Sequence, residues 1–154
     1  WRLADRSRCF RGTPDPSLFL VLAMQIIRPS EFALTVDRSK FHALLAPLDS
    51  PDAMDAVLKQ RRRDYRKAVH HCWAYRVPGV PGAPGALVEL SKDDGEVGHP
   101  GRVLLELLRR HDLLGVLVVS RIFGGVKLGV GGVSRAFRDA GQGAVNAALA
   151  RDRR

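Results

Sequence analysis

Residues 121–137 read RIFGGVKLGVGGVSRAF, with five glycines, Arg121, Lys127 and Arg135 set between two apolar stretches. Upstream, Leu114 to Ile122 (LGVLVVSRI) is short and β-branched, the mark of a strand buried on at least one face. Downstream, Val133, Ala136, Phe137, Ala140, Ala144, Val145 and Ala148 recur at helical spacing. Ser134, Arg135, Arg138 and Asp139 fall mostly between them, as in an amphipathic helix. The junction is therefore strand, glycine loop, helix.

Two roles fit such a junction. Gly129, Gly131 and Gly132 can let an anion approach the unpaired N–H groups of the first helical turn, with Lys127 and Arg135 supplying charge. Alternatively, Gly124, Gly125 and the three later glycines only permit tight turns and a close helix-to-sheet approach. On that second reading Gly131→Val is strongly destabilising. The loop lacks the GxxxxGK[ST] pattern, and GVGG is too short for GxGxxG, so neither a P-loop nor a dinucleotide fingerprint is present.

A chain of 154 residues with 45% hydrophobic content has room for one domain with its own core. A formal charge of +9 favours acidic partners such as RNA, the ribosome or an acidic protein surface. Cys9 and Cys72 have no metal-ligand spacing and form no disulfide framework, so no metal or cofactor is expected and a reducing cytoplasm is. LFLVLA (residues 18–23) is too short to span a bilayer, and Pro14, Pro16, Asp5 and Asp15 make it a poor secretory signal. Residues 1–23 are read as an extension and 24–154 as the domain, with no membrane association.

Along the chain, Phe32 to Val36 and Phe41 to Leu48 form a hairpin about the turn Asp37 to Lys40. Asp49 or Ser50 caps a helix with Pro51 at its start, which runs into KQRRRDYRK at 59–67, the densest basic run. Val69 to Val77 (VHHCWAYRV) is a strand, placing His70, Cys72 and Ala74 on one side and His71, Trp73 and Tyr75 on the other. A Pro/Gly loop at 78–85 and a strand at Leu87 to Ser91 follow, then a turn-rich stretch and a helix over 101–110 with Val103, Leu104, Leu107 and Leu108 inward. Strands that come both in hairpins and in helix-linked crossovers indicate an α+β two-layer sandwich, a mixed sheet with helices on one face.

Three pieces carry a family likeness. His70-His71-Cys72-Trp73-Ala74-Tyr75, Asp93-Asp94-Gly95-Glu96 and the glycine stretch with Gly124 and Gly125 together resemble the Impact N-terminal domain family, also called the YigZ family. The likeness covers about residues 31–150 of the sequence. It departs where Glu96 is followed by Val97-Gly98-His99-Pro100-Gly101 rather than the usual P-S/A-GTAG, and where Ile122 replaces an aromatic. The resemblance implies a fold like domain 2 of ribosomal protein S5 and domain IV of elongation factor G. It also implies a link to translation: the eukaryotic namesake competes for an activator of a stress-responsive initiation-factor kinase. The namesake's extra N-terminal domain and the bacterial members' C-terminal domain are not expected within these residues.

Two functions follow as expectations. As a translation-associated binding module, the chain would dock on RNA or the ribosome, or on a protein partner in translation control, through Lys59, Arg61, Arg62, Arg63, Arg66, Arg121, Lys127 and Arg135 with Gly129, Gly131 and Gly132. As an enzyme, it would hold an anionic substrate at the glycine loop. Asp94, Glu96 and a histidine would then act as acid or base, or Cys72 as nucleophile beside His70.

Overall fold

The computed structural model describes residues 23–79 and 86–153. Most of the expected extension and residues 80–85 of the expected 78–85 loop lie outside the described residues. The strands are β1 (Met24–Gln25), β2 (Ser30–Val36), β3 (Ser39–Ala46), β4 (His70–Pro78), β5 (Leu87–Lys92) and β6 (Leu113–Ile122). The helices are α1 (Met54–Asp64), entered through a single 3-10 turn at Pro51–Ala53, α2 (Pro100–Arg110) and α3 (Gly129–Asp152).

The sheet runs β2-β3-β6-β4-β5, every neighbour antiparallel, with β1 adding a short parallel pairing to the start of β6. β6 sits at the centre, flanked by β3 and β4, and is buried at every position but its last, with apolar side chains on both faces. Leu117 and Val119 join Phe41, Cys72 and Ala74 beneath α2 and α3, where Phe41 meets Phe137 edge-on at 5.2 Å. Val116 and Val118 face the other way, with Trp73, Tyr75 and Val77, against Met54 and Leu58 of α1. The α+β architecture holds, with α2 and α3 on one face, but the helices are not confined to that face as expected: the short α1 packs on the other, because Met54 and Leu58 cover Trp73, Tyr75, Val116 and Val118.

Several local details differ from the sequence reading. The β2–β3 turn is only Asp37 and Arg38, both left-handed (φ 45° and 67°), which matches the strand twist of a two-residue hairpin. Ser50 holds the extended N-cap conformation but makes no side-chain capping bond. On α2, Leu105 is buried while Val103 is half-buried. The cap of α2 comes from a distance: Asp93 Oδ1 accepts the Gly101 N–H at 2.8 Å.

Candidate functional site

The β6 register gathers one end of the sheet. His42 and His71 both lie beside Ser120, and His70 lies beside Arg121. The β2–β3 turn, the end of α1, the start of β4, the 93–99 loop and the start of α3 therefore meet there.

The Asp93–Glu96 turn is spent on this assembly. Asp94 Oδ2 accepts the His71 backbone N–H at 2.8 Å, and the Asp94 carbonyl lies 2.8 Å from His70 Nδ1, which must carry the proton because a carbonyl can only accept. Glu96, with 4% of its side chain exposed, accepts from Arg121 Nη1 at 2.8 Å. Arg121 is itself buried, and its Nε has no hydrogen-bond partner among the described residues. Cys72 is fully buried and donates its thiol proton to the Asp93 carbonyl at 3.1 Å. Burial, and then the charges of Glu96, Asp94 and Asp93, push the thiol pKa far up, so Cys72 is no nucleophile in this environment. Among the described residues, no His, Cys, Asp and Glu side chains are grouped as a metal site.

The glycines divide the work differently from the sequence reading. α3 already starts at Gly129, which turns the chain with φ 69°, so Gly131 and Gly132 are helical rather than loop residues. A Cβ on Gly131 would meet only the tip of Arg135 at 3.6 Å, which overturns the expectation that Gly131→Val is strongly destabilising. The close approach is at Gly124, where a Cβ would lie 2.1 Å from the Arg38 carbonyl carbon, and whose N–H donates to Ser39 Oγ at 3.2 Å. That contact pins the glycine loop to the β2–β3 turn.

Beside the loop lies a cleft of about 480 Å³ with apolar walls from Val69, Val97, Phe123, Leu128, Val130 and Val133. Arg121, His70, Lys127 and Gly129 also line it. Phe123, Val69, Val97 and Val130 are each about half exposed, at 47%, 54%, 50% and 61%. Sequence reading missed this wall: it gave Phe123 and Val130 no role, and nothing in the sequence ties Val69 and Val97 to them.

Arg61 corrects the reading of the basic run as a surface. It is 2% exposed, donates Nη2 to the His42 carbonyl at 2.6 Å and Nε to Ser120 Oγ at 3.3 Å, and lies 4.5 Å over the Tyr65 ring. It faces the sheet because α1 packs there, so it clamps the helix end. Lys59, Arg62, Arg63, Arg66 and Lys67 remain exposed, as do Arg38, Lys40, Lys127 and Arg135. None of these makes an ion pair among the described residues. His71 is buried with Nδ1 2.8 Å from Ser120 Oγ, and its desolvation holds the imidazole pKa below its usual value.

An antiparallel sheet between helices, with a glycine junction locked to a hairpin and a buried Glu–Arg pair beneath it, defines a small α+β domain built around one end of its sheet. The chain belongs to the Impact N-terminal domain family, whose profile matches residues 37–145. A family member from Thermus thermophilus is 41% identical over 103 residues, 66% of this chain and 52% of the relative. The Escherichia coli member YigZ is 35% identical over 116 residues, 74% and 53% of the two chains. A crystal structure described as a hypothetical protein superposes with a TM-score of 0.69 at 29% identity, covering 80% of this chain and 60% of the other. The chain thus spans about half the length of the curated relatives it matches. β2 lies ahead of the matched residues yet belongs to the same sheet.

Proposed function

We propose that residues 24–154 form a translation-related binding module that docks on RNA or the ribosome through the basic end of its sheet. The carrying observation is the convergence there of Arg38, Lys40, Arg62, Arg63, Arg66, Lys67, Lys127 and Arg135, exposed and without ion-pair partners among the described residues. Asp37, Asp64 and Asp94 stand exposed among them, Asp94 with Oδ2 committed to the His71 N–H, while Asp93 and Glu96 are committed to the Gly101 N–H and Arg121. An unneutralised cationic surface attracts phosphates and gains by releasing their counterions. Family membership supports the link to translation. Among the described residues no helix is long and apolar enough to cross a membrane.

A second reading, an enzyme acting on a phosphate-containing or other anionic substrate, is favoured by the size of the cleft beside Lys127 and Gly129. The carboxylates and the thiol next to the cleft all hold structural bonds, which leaves His70, with its Nδ1 bonded to the Asp94 carbonyl, as the side chain on the cleft wall suited to acid–base work on this reading. Co-sedimentation with ribosomes and crosslinking to bound RNA, repeated at rising salt, tests the first reading. Association that weakens steeply with salt is expected, and no association at low salt would overturn it.

A further inference from the structure

We propose that the cleft beside the glycine loop is a nucleobase pocket, which receives one unstacked base of single-stranded RNA while the neighbouring cations hold its backbone. The inference rests on the docking role proposed above and names what that surface selects.

Charge alone would favour any polyanion, but this surface adds an apolar recess that a duplex has no use for. Phe123 stands 47% exposed at its mouth, Val130 and Val97 are half exposed beside it, and the recess of about 480 Å³ is large enough for a planar ring. Phe123 presents one ring face near the Arg121 guanidinium, 5.6 Å from its centroid, which anchors the ring without filling the cleft. On the inner wall, Arg121 is 6% exposed and keeps an Nε–H that no described residue accepts. A buried donor without a partner is costly, and a ring nitrogen or carbonyl on a base edge is an acceptor of the right kind. On the rim, Lys127 and the N–H groups of the first turn of α3 are of the right sign and kind for the adjoining phosphate.

These three elements, an aromatic stacking face, an inner donor and an outer cation, are what a single strand presents counterparts to and a duplex hides. An acidic peptide with an apolar side chain could use the walls and the rim. Its aliphatic side chain offers no flat π face to the exposed Phe123 ring, whereas a base does and carries a phosphate to the rim cations, which is why the base is favoured.

The test compares three probes on the intact protein: a short single-stranded RNA, the same strand with abasic riboses, and a duplex of the same length. The base-bearing strand is expected to bind about tenfold or more tighter than the abasic one, the usual scale of base–aromatic stacking. Phe123→Ala, at an exposed position, and Val130→Trp, which fills the recess, should each erase that difference, with melting curves confirming the fold. Equal binding of all three probes, with the salt dependence intact, would overturn the pocket while leaving RNA docking in place. No binding of any probe would overturn both. Tighter binding of an acidic apolar peptide, lost in Phe123→Ala, would also reject the base assignment.

Discussion

The two ends of the sheet carry arginine for opposite purposes. At the end where β6 begins, Arg76 is buried and donates to Glu89 at 2.9 Å and to the carbonyls of Leu108 and Leu113 at 3.2 and 3.3 Å. Arg109 reaches the same Glu89 from α2, and its hydrogen bond is the chief cause holding that carboxyl below the usual range. There Arg76 and Arg109 are paired with Glu89, Glu106 and Asp112 and tie α2 to the sheet, while Arg28, Arg110 and Arg153 stand exposed around them. At the end where β6 finishes, Arg61 and Arg121 do the structural work, and the remaining cations point outward unpaired. Counting arginines therefore says little; what each guanidinium faces decides whether it serves the fold or a partner.

The largest expected effect breaks this distinction at its structural side. Arg76→Ala and Arg61→Ala each leave buried acceptors unmet and should each cost about 3 kcal/mol or more in denaturant unfolding. Arg66→Ala should fall within about 0.5 kcal/mol of the parent. Similar losses for all three would dissolve the division between structural and free cations.

Next comes the loop that carries Lys127 to the basic end. Gly124→Ala forces a methyl into the Arg38 backbone and should destabilise by about 3 kcal/mol. Gly131→Ala adds a methyl on a helix in ordinary contact with the tip of Arg135 and should stabilise by about 0.5–1 kcal/mol. A neutral Gly124→Ala would mean the loop is not pinned to the hairpin.

The smallest effect is a pH dependence. Burial keeps the folded His71 below the 6.5 of a free imidazole, so the unfolded chain takes up its proton first as pH falls. The stability that neutral His71 contributes is present above about pH 6.5 and is lost as pH falls toward its depressed folded value. Melts at about pH 7.5 and about pH 5 should show a smaller acid loss in His71→Gln than in the parent. An equal loss would put the titration elsewhere, His42 being the other imidazole lowered by burial.

The fold was largely legible because its signals are local. The β-branched run of β6, the two-sided alternation of His70 to Tyr75 and the spacing of Val133 to Ala148 each report a periodicity that packing respects. The site was less so. The pairing of Glu96 with Arg121, the cap that Asp93 gives Gly101 and the burial of Arg61 all depend on contacts between distant segments. Within the run RRR, helical geometry turns Arg61 to the sheet and leaves its two neighbours in solvent, a split that composition cannot show.

The dense cluster of unpaired cations where β6 finishes is the docking end only if losing it costs more than losing the scattered exposed arginines at the other end. Binding of one single-stranded RNA should be followed against salt for the parent and for two charge-matched triple variants. One removes Arg62, Arg63 and Arg66 at the basic end, and the other removes the equally exposed Arg28, Arg110 and Arg153 at the opposite end. The first should weaken binding and flatten the logarithmic salt slope by about 0.7 for each lost phosphate contact, while the second leaves the slope near the parent's. Equal loss in both variants would show that net charge, and not the arrangement at this end of the sheet, attracts the RNA.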